Sequence, residues 1–471
     1  MENQEKERTN SVLYNVMIGA FIAMFDSGIL NVGLPTLRTA FNIDISTVKW
    51  ATSAYVLSMS SLLPVVGSLA DHIGRKMLYT YGFLIICIFT LACSFATSFN
   101  MLIAFRALQG IGGAMFMANG LAIAAEYYPE EKKGEILGIL YATQAFGGLT
   151  GPPIGGILIG WFGWRSVFYV TFVISLAAYI ISYKIIPDDE KEEFVLADFD
   201  LVGAITIVLF ISGFVFGFSS IKKYGWSSPK ILISVGISVL SLIILIIHEW
   251  KHERPVLPLI VFRNWTFSAS LCASFLAHTT MYSPEVLLPF YYQDIKGYDS
   301  VKTGLLMIAF PGAIVLASPL GGYLADKIGP TIVATTGLTL NTLFLLVLST
   351  VKVETSPYLV FVNILGIGMA QGLFLSPNSY ALMGSVPKEH YGTETGLNLL
   401  SKNFGAVCGY TFSVELFVIY LKAGTTETYP TRYINSVSSV YKIEAVLSFI
   451  GLLLSANRQY KNPESITEES D

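Results

Sequence analysis

The segment Pro64–Lys76, PVVGSLADHIGRK, returns 255 residues later as PLGGYLADKIGPT at Pro319–Thr331. Seven of the first eleven positions are identical: Pro64/Pro319, Gly67/Gly322, Leu69/Leu324, Ala70/Ala325, Asp71/Asp326, Ile73/Ile328 and Gly74/Gly329. In both copies an apolar run ends at the aspartate and another begins just after the last glycine, so each copy is a tight loop joining two long apolar elements. A repeat of such long period is not a solenoid; it reads as a duplicated helical bundle.

Charged residues make up 13% of the chain and hydrophobic ones 53%, against about 25% charged in a soluble domain. The expectation is therefore an all-α polytopic membrane protein. A bilayer core of about 30 Å needs roughly 20 apolar residues per helix. Fourteen runs meet that need, near 13–35, 50–70, 77–96, 101–125, 135–160, 167–186, 202–220, 231–249, 267–291, 303–325, 331–350, 358–382, 396–421 and 437–456. Adding the repeat offset to the first start, 13 + 255, gives 268, the start of the ninth run. Two six-helix bundles follow, at 13–186 and 265–456, with an acidic loop and an inserted helix pair in 187–264 and short terminal segments at 1–12 and 457–471.

An even number of spans puts both termini on one side. With that side cytoplasmic, 15 Lys/Arg fall inside and 12 outside, a weak bias in the expected direction. Trp50, Trp161, Trp164, Trp226, Trp250 and Trp265 all fall at or beyond predicted helix ends, where an indole suits the interface. The expected location is the cell membrane, with the bilayer as solvent and no nucleic-acid partner, since the net charge of -4 is spread over many loops. Cys87, Cys93, Cys272 and Cys408 lie in apolar runs without metal-ligand spacing. No Walker loop, GxSxG or HExxH is present, and His248/His252 has no third ligand, so neither an enzyme, a metal nor a cofactor is expected.

Ionisable groups inside spans are expensive and each is a candidate for function. Asp26 is the deepest carboxylate, thirteen residues past Leu13 and so about 20 Å along its helix, with Asn31 nearby in sequence. It suits a proton-exchanging or substrate-binding site, or else a structural hydrogen bond to a neighbouring helix. Arg106 is the matching cation, with Gln109 one turn further along the same face. A partner must reach it, and it reads either as a group tuning a nearby acid or as a fixed structural pin. His278 titrates in a useful range but also fits as a packing residue. Glu285, Glu415 and Glu444 all fall near outer helix ends on these spans, while Asn119, Gln144, Asn363, Gln371, Asn378, Lys402 and Asn403 are scattered lining candidates. The run GGLTGPPIGG places Gly147, Gly151 and Gly155 on one helical face, beside Pro152, Pro153 and Gly156. Such a face permits close helix approach, and the prolines permit a bend that would serve gating.

These motifs resemble those of the major facilitator superfamily. GSLADHIGRK (Gly67–Lys76) looks like its cytoplasmic signature loop, and the second copy like that loop's weaker twin. FDSGILNVGLP (Phe25–Pro35), Arg106–Gly110, Gly147–Gly156 and SPNSYALMGSVP (Ser376–Pro387) are similar to further motifs of its fourteen-span drug:proton antiporter branch, in the right order over about residues 12–421. The resemblance implies two bundles around a central cavity and alternating access, with the proton gradient as energy source and no cofactor. It further implies that Gly67, Asp71, Gly74, Arg75, Lys76, Asp326 and Gly329 form gating loops, with Asp71 and Arg75 stabilising an outward-facing state. Arg106 would assist proton transfer, Asp26 would bind a proton or substrate, and Gly147, Gly151, Pro152, Gly155 and Gly156 would act at the bundle interface of an exporter.

Departures from that pattern are specific. Ser166 and Thr171 stand where the family usually has a second Trp and an Asn, Pro330 and Thr331 replace a basic pair, and deep acids in the second bundle are absent on this reading. The leading expectation is a monomeric, proton-coupled exporter of amphipathic organic compounds. The alternative is an uptake carrier for one aromatic vitamin or metabolite such as riboflavin, motivated by the scarcity of deep carboxylates; a sensor or scaffold without transport is the third.

Overall fold

The computed structural model describes residues 2–126, 133–186, 199–225, 227–251, 259–386, 391–423 and 428–458, and some side chains within these, among them that of Asp71, lie outside the description. The acidic loop at 187–194, Trp226, His252 and the tail from 459 also lie outside it. Within the described residues every regular element is helical. In hydrocarbon nothing else can satisfy the backbone of a single segment internally.

The first repeat gives α1 (Glu2–Asn31), the short α2 (Leu34–Phe41) and α3 (Ile45–Val48), then α4 (Trp50–Ile73), α5 (Arg75–Ser94), α6 (Phe99–Glu126), α7 (Lys133–Phe162) and α8 (Arg165–Ile185). The inserted pair is α9 (Leu201–Tyr224) and α10 (Pro229–Glu249). The second repeat gives α11 (Trp265–Phe290), α12 (Ser300–Met307), α13 (Ala309–Ile328), α14 (Pro330–Leu348), α15 (Pro357–Met383), α16 (Tyr391–Ala423) and α17 (Tyr429–Ala456). Among the described residues twelve helical stretches are long and apolar enough to cross a membrane. The helices α7 and α11 are not among the twelve; they span 30 and 26 residues, and α11 carries Ser270, Ser274, His278, Thr279, Thr280, Ser283 and Glu285.

Some boundaries differ from the sequence expectation, beginning with α1, which runs Glu2–Asn31 rather than 13–35. The run at 303–325 is two helices, α12 and α13, parted at Ile308. Asp299 opens the first of them by accepting from the Lys302 amide. The last span starts eight residues earlier than its apolar run, at Tyr429 rather than 437, behind Thr428 and with Pro430 in its first turn, where a missing N–H costs nothing. Trp164 lies at a helix end as expected, between α7 and α8, and is buried there, at 6% exposure, with the Arg165 guanidinium 4.2 Å from its ring. Trp161 and Trp250 do sit at exposed helix ends.

The chain divides into two units. The first comprises 1–208 and 297–308, the second 209–296 and 309–471. In the first, α1 packs on α7, and α6 packs on both α4 and α5. In the second, α13 and α14 pack on α15, and α11 packs on α16 and α17. The inserted pair does not stand apart: Phe210, Phe214 and Phe218 of α9 meet Phe404 and Phe412 of α16 within the second unit. Ser234 and Ser238 of α10 donate to the Gly213 and Phe210 carbonyls, tying α10 to α9.

Both repeated loops end a helix and start the next through a glycine with positive φ, +96° at Gly74 and +91° at Gly329. An L residue pays for that conformation, which explains why both copies keep the glycine. Close approach is the second use of glycine. A Cβ on Gly112 of α6 would lie 2.5 Å from the Gly82 carbonyl oxygen of α5. Gly112→Leu is therefore expected to destabilise the fold by about 1–3 kcal/mol, the usual range for overpacking. Thermal unfolding of the detergent-purified protein would register this as a lowered midpoint, whereas Gly236→Leu, at an open site, would not shift it.

Candidate functional site

Asp26 and Arg106 meet inside the first unit. Arg106 Nη1 donates to Asp26 Oδ2 at 2.6 Å, and the two residues are 0% and 2% exposed. The helix periodicity explains the meeting: Arg106 and Gln109 are one turn apart on α6 and both face α1, where Asp26 sits. Gln109 closes the triangle, accepting from Arg106 Nη1 at 2.8 Å and donating from Nε2 to Asp26 Oδ1 at 3.2 Å. Its amide orientation is fixed by those roles, since only the carbonyl end can accept from a guanidinium.

Two further helices hold the triangle in place. From α5, Thr90 Oγ1 accepts from Gln109 Nε2 at 2.8 Å. From α4, the Ala51 carbonyl accepts from Arg106 Nε at 2.7 Å, and the Tyr55 ring lies 4.5 Å from the guanidinium carbon. Asn31, one turn beyond the cluster on α1, accepts from the Thr52 hydroxyl of α4 at 3.1 Å. Four helices thus converge on one ion pair. A buried guanidinium needs this many acceptors to repay its desolvation. Two buried donors remain without partners, Arg106 Nη2 and the Tyr55 hydroxyl. Donors so placed are available to a water or to an acceptor on a bound molecule.

Sequence reasoning named Asp26, Asn31, Arg106 and Gln109, but Thr90, Tyr55 and the Ala51 carbonyl carried no signal. Nothing in a threonine within an apolar run says which glutamine it will meet.

The remaining predicted residues occupy other places. His278, in the second unit, is buried, and its Nδ1 bonds the Ser274 carbonyl one turn back at 2.8 Å. Glu285, two turns further along α11, accepts from the Tyr410 hydroxyl at 3.2 Å. In the repeated loops Arg75 and Lys76 are half-buried and engaged in contacts, and Asp326 is exposed, while Gly67 approaches nothing.

The glycine motif of α7 divides between two neighbours, which corrects the expectation that all of it serves a bundle interface. Gly147, Gly151 and Gly155 press on α1 at Phe21, Phe25 and Ile29, inside the same bundle. Gly156 and the Pro152 carbonyl instead approach Ser300 and Gly304 of α12, a segment of the second sequence repeat that belongs to the first unit. The prolines do not interrupt the helix, which runs unbroken from Lys133 to Phe162.

A second correction concerns Glu444. It lies fifteen residues past the start of the 28-residue α17, about 22 Å along it, and is 3% exposed. It is a deep acid of the second bundle, not an outer-end residue. The missed signal was the Thr428–Pro430 helix start, which moves the whole span outward relative to its apolar run.

A polytopic helical membrane protein with a duplicated bundle and a buried charge cluster in the first half is the architecture of a membrane transporter. Comparison with known proteins gives the family. The model of the Major Facilitator Superfamily matches residues 16–407 and 270–470, and the chain belongs to that family. It is 29% identical over 461 residues to the riboflavin transporter RibZ of Clostridioides difficile, covering 97% of this chain and 99% of that protein. It is 27% identical to the multidrug transporter protein MdtP of Bacillus subtilis, over 87% of this chain and 75% of that protein. The crystal structure of a bacterial homolog of the human lysosomal transporter Spinster superposes with a TM-score of 0.67 at 16% identity, over 95% of this chain and 96% of that one, which establishes the shared fold.

The geometry makes a stability prediction. Asp26→Asn leaves a buried guanidinium without its counter-ion and is expected to cost about 3–5 kcal/mol. Asp26→Asn with Arg106→Gln removes both charges and is expected to recover most of that loss. Thermal unfolding of the two variants beside the wild type checks the order; a double variant no more stable than the single one would contradict it.

Proposed function

We propose that this transporter carries an aromatic organic compound of the riboflavin type by alternating access, with transport coupled to protons through the Asp26–Arg106 pair. The observation that carries the coupling is the pair itself: a carboxylate whose main partner in the membrane interior is a single guanidinium, 2.6 Å away. Proton binding to Asp26 removes the attraction that holds α1 to α6 at that point and releases Arg106, which already has one donor to spare. A local charge change thus biases a packed, two-state helix contact. The aromatic substrate class is supported by the near full-length similarity to a riboflavin transporter. A cytoplasmic location for both termini is supported by the weak excess of Lys/Arg on that side.

A second reading is export of unrelated lipophilic compounds. It is favoured by the α7 glycine and proline motif, whose Gly156 packs against α12, and by the similarity to multidrug transporters.

One panel separates the two. Purified protein would be heated in the presence of riboflavin and other aromatic vitamins on one side and lipophilic cationic dyes on the other. A ligand at 100 times its dissociation constant stabilises by about 2.7 kcal/mol, an easily read shift. Stabilisation by riboflavin or a close relative alone is the expected result. Stabilisation by several dyes and by no vitamin would overturn the substrate assignment in favour of the second reading.

A further inference from the structure

The carboxyl group of Glu444 plays no part in the cluster around Asp26, and its surroundings are unlike it. Asp26 faces a guanidinium; Glu444 faces hydroxyls. Ser413 Oγ of α16 lies 2.8 Å from Glu444 Oε1, and the Ser283 hydroxyl of α11 faces the same carboxyl. Glu444 Oε2 is buried with no partner, and among the described residues no lysine or arginine is paired with the group. The other titratable groups around it are tyrosines: Tyr441 one turn back on α17, then Tyr291 and Tyr292 beyond it. Glu285, on α11, is held by Tyr410. From α14, Asn341 and Thr342 reach only as far as Ser448, one turn along α17, each donating to its hydroxyl at 2.9 Å.

Burial decides what the carboxyl is. Ser413 Oγ donates toward Glu444 Oε1 and also stands close to the Gly409 carbonyl one turn back on its own helix, so a single hydroxyl hydrogen is shared between two acceptors. That is little compensation for a charge, and a bare carboxylate without a cation at this depth is expensive by several kcal/mol, so the site favours the neutral acid.

We propose that Glu444 is a proton-binding site of the second unit, separate from the Asp26–Arg106 pair and carrying its proton in this conformation. The free oxygen supplies the means of exchange. Tyr441, one turn away, has an unpartnered hydroxyl and lines a cavity between α11, α14, α15 and α17, together with Leu287, Tyr291, Leu348, Val360 and Ser438. The role of the site in transport rests on the proton-coupled reading above; the presence of the proton does not.

The test is infrared difference spectroscopy on the full chain reconstituted in lipid, recording the carbonyl stretch of protonated carboxyl groups at neutral pH. Glu444→Gln is expected to remove one band, and Ser413→Ala, which spares the carboxyl, to shift that same band. Raising the pH should bleach it in the wild type. A Glu444→Gln spectrum superimposable on the wild type would overturn the proposal, as would loss of the band on adding sodium at constant pH, which would make the site a metal-cation site. No substrate enters the measurement, so failure of the riboflavin assignment leaves its outcome unaffected.

Discussion

An arginine placed in the interior of a membrane protein dictates a great deal around itself. Arg106 must be neutralised, and its donors must find acceptors, before the bundle gains anything from packing. The acceptors come from three directions: Asp26 on α1, the Ala51 carbonyl on α4, and Gln109 on its own helix, itself steadied by Thr90 of α5. Small residues make this convergence possible. Gly110 and Gly113 let α6 lie against α4 near Tyr55, and Gly112 lets it lie against α5, so the polar triangle and the glycine face are parts of one arrangement. A charge pair that ties helices so closely is a natural place for a proton to act, because adding one charge changes the strength of the tie.

The second unit solves the same packing problem with neutral groups. Its interior holds Asn341, Gln371, Thr280, Thr342 and Ser448 in a connected set of hydrogen bonds. Neutral amides and hydroxyls need fewer partners, and such a network holds helices together without responding to a single proton. The duplicated sequence has therefore yielded two bundles of similar helix order and different electrostatics.

Much of this was legible in the sequence, for identifiable reasons. The repeated loop disclosed the duplication because its glycines serve a backbone requirement, the positive φ at Gly74 and Gly329, which substitution cannot easily satisfy. The apolar runs located fourteen long helices to within a few residues in most cases, because the length of a membrane span is set by the bilayer. Asp26 and Arg106 stood out since charges are rare in such runs. What stayed hidden was partner identity: Thr90, the Ala51 carbonyl and the hydroxyls around Glu444 have no signature until the helices are packed. Glu444 itself was misplaced because α17 begins with about two largely polar turns, Tyr429 to Ser436, that still belong to the helix. Hydropathy marks the lipid-facing core of a helix, not its ends.

The account turns on the claim that the Asp26–Arg106 pair couples the transporter to protons. The most direct measurement reconstitutes the wild type and the doubly neutral variant, Asp26→Asn with Arg106→Gln, in liposomes and follows a ligand that stabilises the purified protein. Two quantities are compared: exchange of labelled for unlabelled ligand at equal pH, and net accumulation driven by an imposed proton gradient. The account predicts that the variant still exchanges ligand and no longer accumulates it. Accumulation by the variant that still follows the gradient as it does in the wild type would contradict the claim.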